Sequence, residues 1–235
     1  MQGKLERTYG QFLEYLRIAI TPFKRIITNV ECSIHKFINI QALEIIKNDS
    51  FYDAYNFFSD YIVQLNDGVV WADQDLKSLG HFYNPFKGKG LYGNKNAMSL
   101  AVEYYNKALL NWRNFDVEIA MFYLGAAVHL VQDMAVPQHA NIRLLDNHRQ
   151  YENFIRKTYL FTPSFRVNSG GYYFMRRIEE AITCSARNAI KIYSRLKNIE
   201  NETKRFYAIT KFILPLAQRT TAGCFIMFYK DISKK

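Results

Sequence analysis

The stretch FYLGAAVHLVQDMAVPQHAN, residues 122–141, is mostly apolar, yet it places a histidine and an aspartate four residues apart. At that spacing the side chains of His129 and Asp133 project from the same face of a helix. An ionised aspartate in apolar surroundings is costly unless it is paired or bound to a metal. The stretch therefore predicts a buried helix in which Asp133 has a compensating partner.

Helical periodicity continues on both sides of this stretch, and no run of alternating strand residues is convincing. The predicted helices span about residues 36–48, 52–65, 97–112, 115–134, 148–158, 173–197 and 202–232, the last broken near Pro215. An apolar stripe from Tyr9 to Val30 predicts a further helix that Pro22 kinks or splits. Residues 66–96 and 162–171 are predicted to be loops. We expect one all-α, multi-helix domain over residues 1–235.

Composition limits the class of protein. An apolar content of 49% over 235 residues favours a packed globule over a disordered chain. The net charge of +10 favours an anionic partner, such as nucleic acid, a phosphate ester or an acidic membrane surface, without choosing among them. Cys32, Cys184 and Cys224 are far apart, which argues against a disulfide framework and a thiolate zinc site and predicts core positions.

No apolar run is long enough to predict a membrane-spanning helix, and the N-terminus lacks the pattern of a secretory signal. We therefore expect a cytoplasmic or membrane-peripheral protein.

The other histidines also lie beside carboxylates or helix ends. His148 and Glu152 repeat the four-residue spacing, and His139 follows a proline that is expected to turn the chain back. His81 follows two aspartates in the long loop, and His35 stands at a predicted helix start. Each histidine alone fits a hydrogen-bonded core residue or a surface ion pair. Together they favour divalent metal, since imidazole and carboxylate are donors that zinc commonly takes.

These elements resemble the zinc-dependent phospholipases C of Gram-positive bacteria, which share an all-α fold with the S1/P1-type nucleases. The similar segments are IHKFINIQALEII, HFYNPFKGKG, FYLGAAVHLVQDMAVPQHAN, HRQYENF and LPLAQRTTAGCFIMFYKDI. The core pattern, H-x3-D-x5-H followed by H-x3-E, is specific to the family. The resemblance covers roughly residues 20–235.

The resemblance implies two or three Zn²⁺ ions. A first zinc would be bound by Asp73, His81, His129 and Asp133, and a second by His139, His148 and Glu152. His35 would contribute to a third, with Asp133 bridging the first and third ions. Asp73 would also activate the attacking water, with Asp75 or Asp67 as alternatives for its position.

The chain departs from the family in two places. The secreted enzymes bind the third zinc through an N-terminal tryptophan, whereas here the comparable region near Pro22 has none and follows an N-terminal helical extension, residues 1–20. Gln74 and Ser78 replace aromatic residues that contact the headgroup, so a choline cage is not supported. Because the sequence ends at Lys235, we expect no C-terminal β-sandwich.

The implied function is phospholipase C activity, which cleaves a glycerophospholipid into diacylglycerol and a phosphorylated headgroup. We expect a monomer in peripheral contact with an anionic membrane surface and no specific nucleic-acid partner. The alternatives are a single-strand nuclease and a non-catalytic, zinc-stabilised helical protein associated with membranes. Phe82, Tyr83 and Phe86 either line an acyl entrance or anchor their loop.

Overall fold

The computed structural model describes residues 32–74, 79–91, 95–143 and 147–234. Within these ranges the helices are α1 (Ser33–Asn48), α2 (Tyr52–Asp60), α3 (Ile62–Asp73), α4 (Ala97–Arg113), α5 (Val117–Asp133), α6 (Pro137–Asn141), α7 (His148–Thr158), α8 (Ile178–Leu196) and α9 (Glu202–Ser233). A short 3₁₀ helix spans Pro163–Phe165, and one isolated bridge joins Asn84 to Lys89. These described residues contain no strand, and the predicted all-α fold is confirmed.

Helix α5 lies at the centre of the molecule and packs along both α3 and α4. Almost every side chain in its second half is buried, because the segment from Leu124 to Val131 is apolar apart from His129. The neighbouring α4 begins at a capping box, in which the Asn96 side chain accepts from the Ser99 amide and the Ser99 hydroxyl accepts from the Asn96 amide. The first part of the stretch 122–141, up to Asp133, therefore forms the buried helix that its composition predicts.

Two glycines allow α3 and α5 to approach closely. A Cβ atom on Gly125 would overlap the carbonyl oxygen of Leu65, and one on Gly68 would overlap the carbonyl oxygen of Phe122. Both helices end at an aspartate, α3 at Asp73 and α5 at Asp133. The two carboxylates lie close together in the structure, since both are within 4 Å of the imidazole of His129.

We predict that Gly125→Ala destabilises the fold by about 3 kcal/mol, because the added methyl forces two packed backbones apart. Urea unfolding followed by circular dichroism would measure the loss. Asn106→Ala, an exposed change on α4, is the control and should stay within about 0.5 kcal/mol of the parent. A neutral effect at Gly125 would contradict the close approach of α3 and α5.

Helix α9 packs against α1 and α8. The predicted break near Pro215 is wrong, because α9 runs continuously from Glu202 to Ser233 with Pro215 inside it. Proline removes one backbone hydrogen bond, but side chains on both sides of Pro215 are buried, including Ile213, Leu214 and Leu216. Their burial holds the helix together across the proline.

Other boundaries also differ from the predictions. The predicted loop over residues 66–96 begins too early, because α3 continues through Asp73 and buries Val69 and Ala72. The predicted helix over 52–65 is divided at Tyr61 into α2 and α3. Helix α8 starts at Ile178 rather than 173, since the Tyr173 hydroxyl donates to Asp49 and holds that stretch outside the helix.

The N-terminal helix with its kink at Pro22 lies outside the described residues. Among the residues that are described, no helix has the length and apolarity required to span a bilayer.

Candidate metal centre

Six segments of the chain bring the eight predicted site residues together. In the described part of the chain, three groups have donor atoms within 4.8 Å of one another: His35 with His129 and Asp133, Asp73 with His81 and His129, and His139 with His148 and Glu152. His35 comes from α1, Asp73 from the end of α3 and His81 from the loop that follows. The remaining residues lie on α5, α6 and α7. None of the eight is left outside the cluster.

Asp133 is the hub of the first two groups. Its Oδ2 atom lies 2.7 Å from Nδ1 of His81 and 3.2 Å from Nε2 of His129. Its Oδ1 atom lies 3.5 Å from Nε2 of His35. Asp73 stands on the other side of His129, with 3.9 Å between its Oδ1 atom and the His129 Nε2 atom. The compensating partners that the sequence required for Asp133 are therefore imidazoles, and Nδ1 of a fourth histidine, His139, also lies 3.8 Å from Oδ2.

The third group lies where α6 and α7 meet. Nε2 of His148 is 2.9 Å from Nε2 of His139 and 3.0 Å from Oε1 of Glu152. His148 and Glu152 face each other because α7 begins at His148 and so places both in its first two turns. His139 is aimed at them by α6, a short helix with Pro137 at its first position.

Hydrogen bonds orient two of the imidazoles. Nδ1 of His35 lies 2.8 Å from Oε1 of Gln132, whose Nε2 donates to Asn39 and Thr221. The Gln132 amide nitrogen donates to these two acceptors, so the Gln132 oxygen accepts a hydrogen bond from Nδ1 of His35. The Nε2 atom of His35 is then unprotonated, and its lone pair is available to a metal ion. Nδ1 of His139 likewise donates to the carbonyl oxygen of His81 over 3.1 Å. The Nε2 atom of His139 is therefore unprotonated, and its lone pair is available to a metal ion. Such bonds fix the tautomer of a metal-binding histidine.

The positions of the candidate ligand atoms fit bound divalent ions better than they fit a network of hydrogen bonds alone. His148 Nε2 carries at most one proton, yet it faces both His139 Nε2 and Glu152 Oε1 at hydrogen-bond distance. Two imidazole nitrogens, from His81 and His129, also face each other at 3.2 Å. Donor atoms around a tetrahedral zinc lie about 3.3 Å apart, so an ion within each group would satisfy all of these atoms.

Burial and neighbouring charges shift the pKa values of the cluster. Burial alone would raise the pKa of Asp133, but the positive charge of His129 holds it well below its usual range. Burial by itself would lower the pKa of His129, but the negative charge of the Asp133 carboxylate has the larger effect and raises it. Burial lowers the pKa of His139 to about 4 and, with repulsion from His129, also lowers that of His35. In the metal-free cluster at neutral pH the Asp133 carboxylate therefore pairs with a protonated His129, while His35 and His139 are neutral.

We predict that the metal-free protein loses stability as the pH falls from about 6.5 to about 4. In this window the unfolded chain protonates His35 and His139, whereas the folded chain resists because burial lowers both pKa values. The His139 shift alone amounts to about 3 kcal/mol. His129 adds little to the pH dependence of the free energy of unfolding in this window. Its pKa is raised in the folded state, so below about pH 6.5 it is protonated in the folded and the unfolded chain alike.

Urea unfolding in the presence of a chelator, at several pH values across this window, would measure the effect. His139→Asn should give a shallower dependence, because one of the two resisting imidazoles is gone. A free energy of unfolding that stays constant across the window would contradict the prediction.

A cavity of about 410 Å³ opens beside the cluster. The polar residues that line it include His35, Asp73, Gln132, Asp133 and Glu152, and most of the other lining residues are apolar, including Ile34, Ile38, Ile155, Ile213, Leu214 and Ala217. Arg156 is the single lysine or arginine among the described residues that line it. The cavity thus combines candidate metal ligands with apolar side chains.

The structure also shows the positions of most of the residues whose roles the sequence left undecided. Asp73 belongs to the cluster, whereas Asp67 is exposed on α3 and Asp75 lies outside the described residues. Phe82 is buried and stacks on the imidazole of His139, with 4.7 Å between the ring centroids, so it anchors its loop. Tyr83 packs against the core and Phe86 is exposed. None of these three aromatic residues is among the described residues that line the cavity.

Two neighbours of the cluster were missed by the sequence analysis. Gln132 orients His35, as described above, and Cys32 donates from Sγ to Oδ2 of Asp73 over 3.1 Å. The prediction that the cysteines fill the core holds for Cys224 and is wrong for Cys184, which is only partly buried. It is incomplete for Cys32, which is buried against a carboxylate. Its position three residues before His35 is the sequence signal that could have revealed it.

The profile of one protein family, described as zinc dependent phospholipase C, matches residues 34–212. The chain belongs to the zinc-dependent phospholipase C family. A relative named Phospholipase C from Listeria monocytogenes is 28% identical over 143 residues, which cover 54% of this chain and 50% of that protein. Another Phospholipase C, from Clostridium novyi, is 25% identical over 235 residues, covering 85% of this chain and 59% of that protein.

Solved structures agree on the fold of this family member. The alpha toxin from Clostridium absonum superposes with a TM-score of 0.75 at 21% identity, covering 86% of this chain and 64% of that chain. The Clostridium perfringens alpha-toxin from avian strain SWCP gives a TM-score of 0.72 at 20% identity, covering 85% and 64%. The chain spans about half the length of the curated relatives it matches.

Proposed function

We propose that this chain is a zinc-dependent phospholipase C, which hydrolyses the phosphodiester bond of a glycerophospholipid to give diacylglycerol and a phosphorylated headgroup. The observation that carries the proposal is the cavity, whose lining combines the candidate ligands His35, Asp73, Asp133 and Glu152 with aliphatic side chains. A phospholipid has the same division, since its phosphate joins a polar headgroup to an apolar diacylglycerol. The relatives named Phospholipase C support the same substrate class.

The proposed ligands follow the three groups. Asp73, His81, His129 and Asp133 would hold one zinc, His139, His148 and Glu152 a second, and His35 with Asp133 a third. Zinc bound in this way lowers the pKa of a water molecule and stabilises negative charge on phosphate oxygens. The number of ions is two or three, depending on whether His35 and Asp133 find a further donor.

Asp73 is the proposed base that takes the proton of the attacking water. Burial tends to raise its pKa, but the positive charge of His129 holds the pKa below its usual value, so the carboxylate is ionised and ready to accept. Its side chain is 29% exposed, whereas that of Asp133 is 6% exposed. Asp73 is therefore the more accessible of the two carboxylates to a molecule in the cavity.

The C-terminal end of α7, which contributes Arg156 to the cavity, suits a lipid surface. The guanidinium of Arg156 supplies an anion-binding group beside the carboxylates. Lys157 follows it on α7, and beyond the helix end Leu160 and Phe161 are 50% and 83% exposed. Cationic and apolar side chains together favour peripheral contact with anionic lipids. The predicted monomer and the predicted peripheral location are part of this proposal.

The test is hydrolysis by the full chain loaded with zinc. Vesicles that carry choline, ethanolamine, serine or glycerol headgroups would be supplied separately, and release of the phosphorylated headgroup would be measured with and without a chelator. We expect chelator-sensitive release. Cleavage of single-stranded DNA without action on any vesicle would favour the nuclease alternative and overturn the proposal. Zinc binding without hydrolysis of either substrate would favour the non-catalytic alternative and overturn it equally.

A further inference from the structure

Three amide side chains form a relay of hydrogen bonds that leads from α3 to the imidazole of His35. Nδ2 of Asn39 donates to Oδ1 of Asn66 over 3.0 Å, and Oδ1 of Asn39 accepts from Nε2 of Gln132 over 2.9 Å. Oε1 of Gln132 then lies 2.8 Å from Nδ1 of His35. Asn39 and Gln132 are buried, with at most 1% of either residue exposed. The relay therefore connects a candidate metal ligand to residues that do not contact the ion.

Two acceptors hold the Gln132 amide in one orientation. Its Nε2 atom donates to Asn39 on α1 and, over 3.2 Å, to Oγ1 of Thr221 on α9. If the amide rotated by half a turn, its oxygen would face the Asn39 oxygen, and the hydrogen bonds of both buried groups would be lost. Gln132 is thus held with its oxygen, an acceptor, toward His35.

The single ring proton of a neutral His35 has two possible positions. On Nδ1 it is donated to Gln132 over 2.8 Å, and on Nε2 it would point at Oδ1 of Asp133 across 3.5 Å. A metal ion binds only a ring nitrogen that carries no proton. Nε2 is the nitrogen on the side of Asp133, which belongs to the same candidate metal group as His35. A proton on Nε2 would therefore block this group.

We propose that Gln132 is a positioning residue, which keeps the ring proton of His35 on Nδ1 and so keeps Nε2 open for an ion bound with Asp133. Asn39 and Thr221 act one step further away by holding the Gln132 amide. The inference rests on the proposed zinc centre. Gln132 directly precedes Asp133 on α5, so adjacent residues of one helix serve the same ion, one as a ligand and one by orienting a ligand.

The arrangement is complete before any metal binds, because every hydrogen bond of the relay is made by protein groups. Zinc binding then requires no movement of the His35 proton. Hydrogen bonds that orient a metal-binding histidine change metal affinity by about 10- to 100-fold. We expect an effect of this size from Gln132.

Nitrogen-15 NMR of the metal-free full chain at about pH 8, where an ordinary imidazole is neutral, reads the position of the proton. Protonated and unprotonated ring nitrogens have widely separated shifts. The sequence contains five histidines, and the signals that a His35→Gln variant loses assign His35. We expect the proton on Nδ1 in the parent protein. A parent with the proton on Nε2 would overturn the proposal without any further variant.

Gln132→Leu removes the acceptor and keeps a side chain of similar size. We expect the His35 proton to move to Nε2, where Asp133 accepts it, and one equivalent of zinc to bind about 10- to 100-fold more weakly in calorimetric titration. Gln132→Glu keeps an acceptor oxygen and should restore the Nδ1 proton and the zinc affinity. A Gln132→Leu protein that keeps the proton on Nδ1, or a Gln132→Glu protein that loses it, would overturn the proposal.

Gln218→Leu is the matched control for the loss of a buried amide. Gln218 is fully buried, but its side chain accepts from the Val167 amide and donates to the Phe165 carbonyl oxygen. Both leucine variants should lose stability, whereas only Gln132→Leu should move the His35 proton. A Gln218→Leu protein that moves the proton equally would reduce the role of Gln132 to general packing and overturn the proposal.

Should Gln132→Leu fail to fold, Asn39→Leu takes its place. This change removes one of the two acceptors that hold the Gln132 amide, so part of the His35 population is expected to carry the proton on Nε2. A spectrum identical to that of the parent would overturn the proposal.

The two proposals fail in different ways. If the relay does not position the proton, the metal-free spectrum shows it on Nε2 while zinc-loaded protein still hydrolyses phospholipid. If the chain is not a phospholipase C, the proton is on Nδ1 while no phospholipid is cleaved.

Discussion

Asp133→Asn is expected to remove the metal ions from two of the three groups and to lower phospholipid hydrolysis by roughly a thousandfold. One carboxylate oxygen faces His81 and His129, and the other faces His35. The amide has the same shape but no charge and one acceptor oxygen, so it cannot serve two ions. Elemental analysis of zinc per chain and release of the phosphorylated headgroup would measure both losses.

Asp116→Asn is the matched control for this change. Asp116 lies at the other end of α5, is exposed and makes no side-chain cap hydrogen bond. It should keep its full zinc content and activity. A chelator should lower the melting temperature of the parent and of this control, because metal bound to the folded state stabilises it. Asp133→Asn should respond far less, and an Asp133→Asn protein that keeps its zinc would refute the role of Asp133 as the hub.

Glu152→Gln is expected to remove one zinc and to lower hydrolysis by about a hundredfold or more. The carboxylate lies 3.0 Å from His148, which in turn lies 2.9 Å from His139, so this group loses its only negative charge. His148→Ala should have the same effect on zinc content. In both variants the ions near Asp133 should remain, which elemental analysis would show as a loss of a single equivalent.

Glu118→Gln is the control for this second change, since Glu118 is an exposed glutamate in the first turn of α5. Its zinc content and activity should equal those of the parent. An unchanged zinc count in both Glu152→Gln and His148→Ala would show that this group does not bind metal.

The spacing of residues along the sequence predicts part of this site without the structure. Two residues four apart on a helix share a face whatever the rest of the chain does, so His129 with Asp133 and His148 with Glu152 were identified as pairs. Their helices then formed where the apolar pattern predicted, and α7 spans the predicted residues His148–Thr158. The resemblance to a family added His35, Asp73 and His81, which no local pattern joins to these pairs.

Predictions failed where a local signal was overridden by packing. Polar residues around Asp67 suggested a loop, but Leu65, Val69 and Ala72 are buried against the core and keep this stretch helical. Pro215 suggested a break, but burial on both sides keeps α9 continuous. In each case a contact with a distant part of the chain outweighed the preference of the residue itself.

The sequence by itself determined the helical class, the buried helix that ends at Asp133 and the need for a partner that an apolar helix imposes on this aspartate. Only the tertiary structure decided which partners those are, because His35 and His81 arrive from separate segments of the chain, the first from α1 and the second from the loop after α3. It alone placed Cys32 against Asp73, 41 residues away. The spacing of residues along the chain determines which side chains share a face of a helix, whereas contacts between distant side chains depend on how whole helices pack.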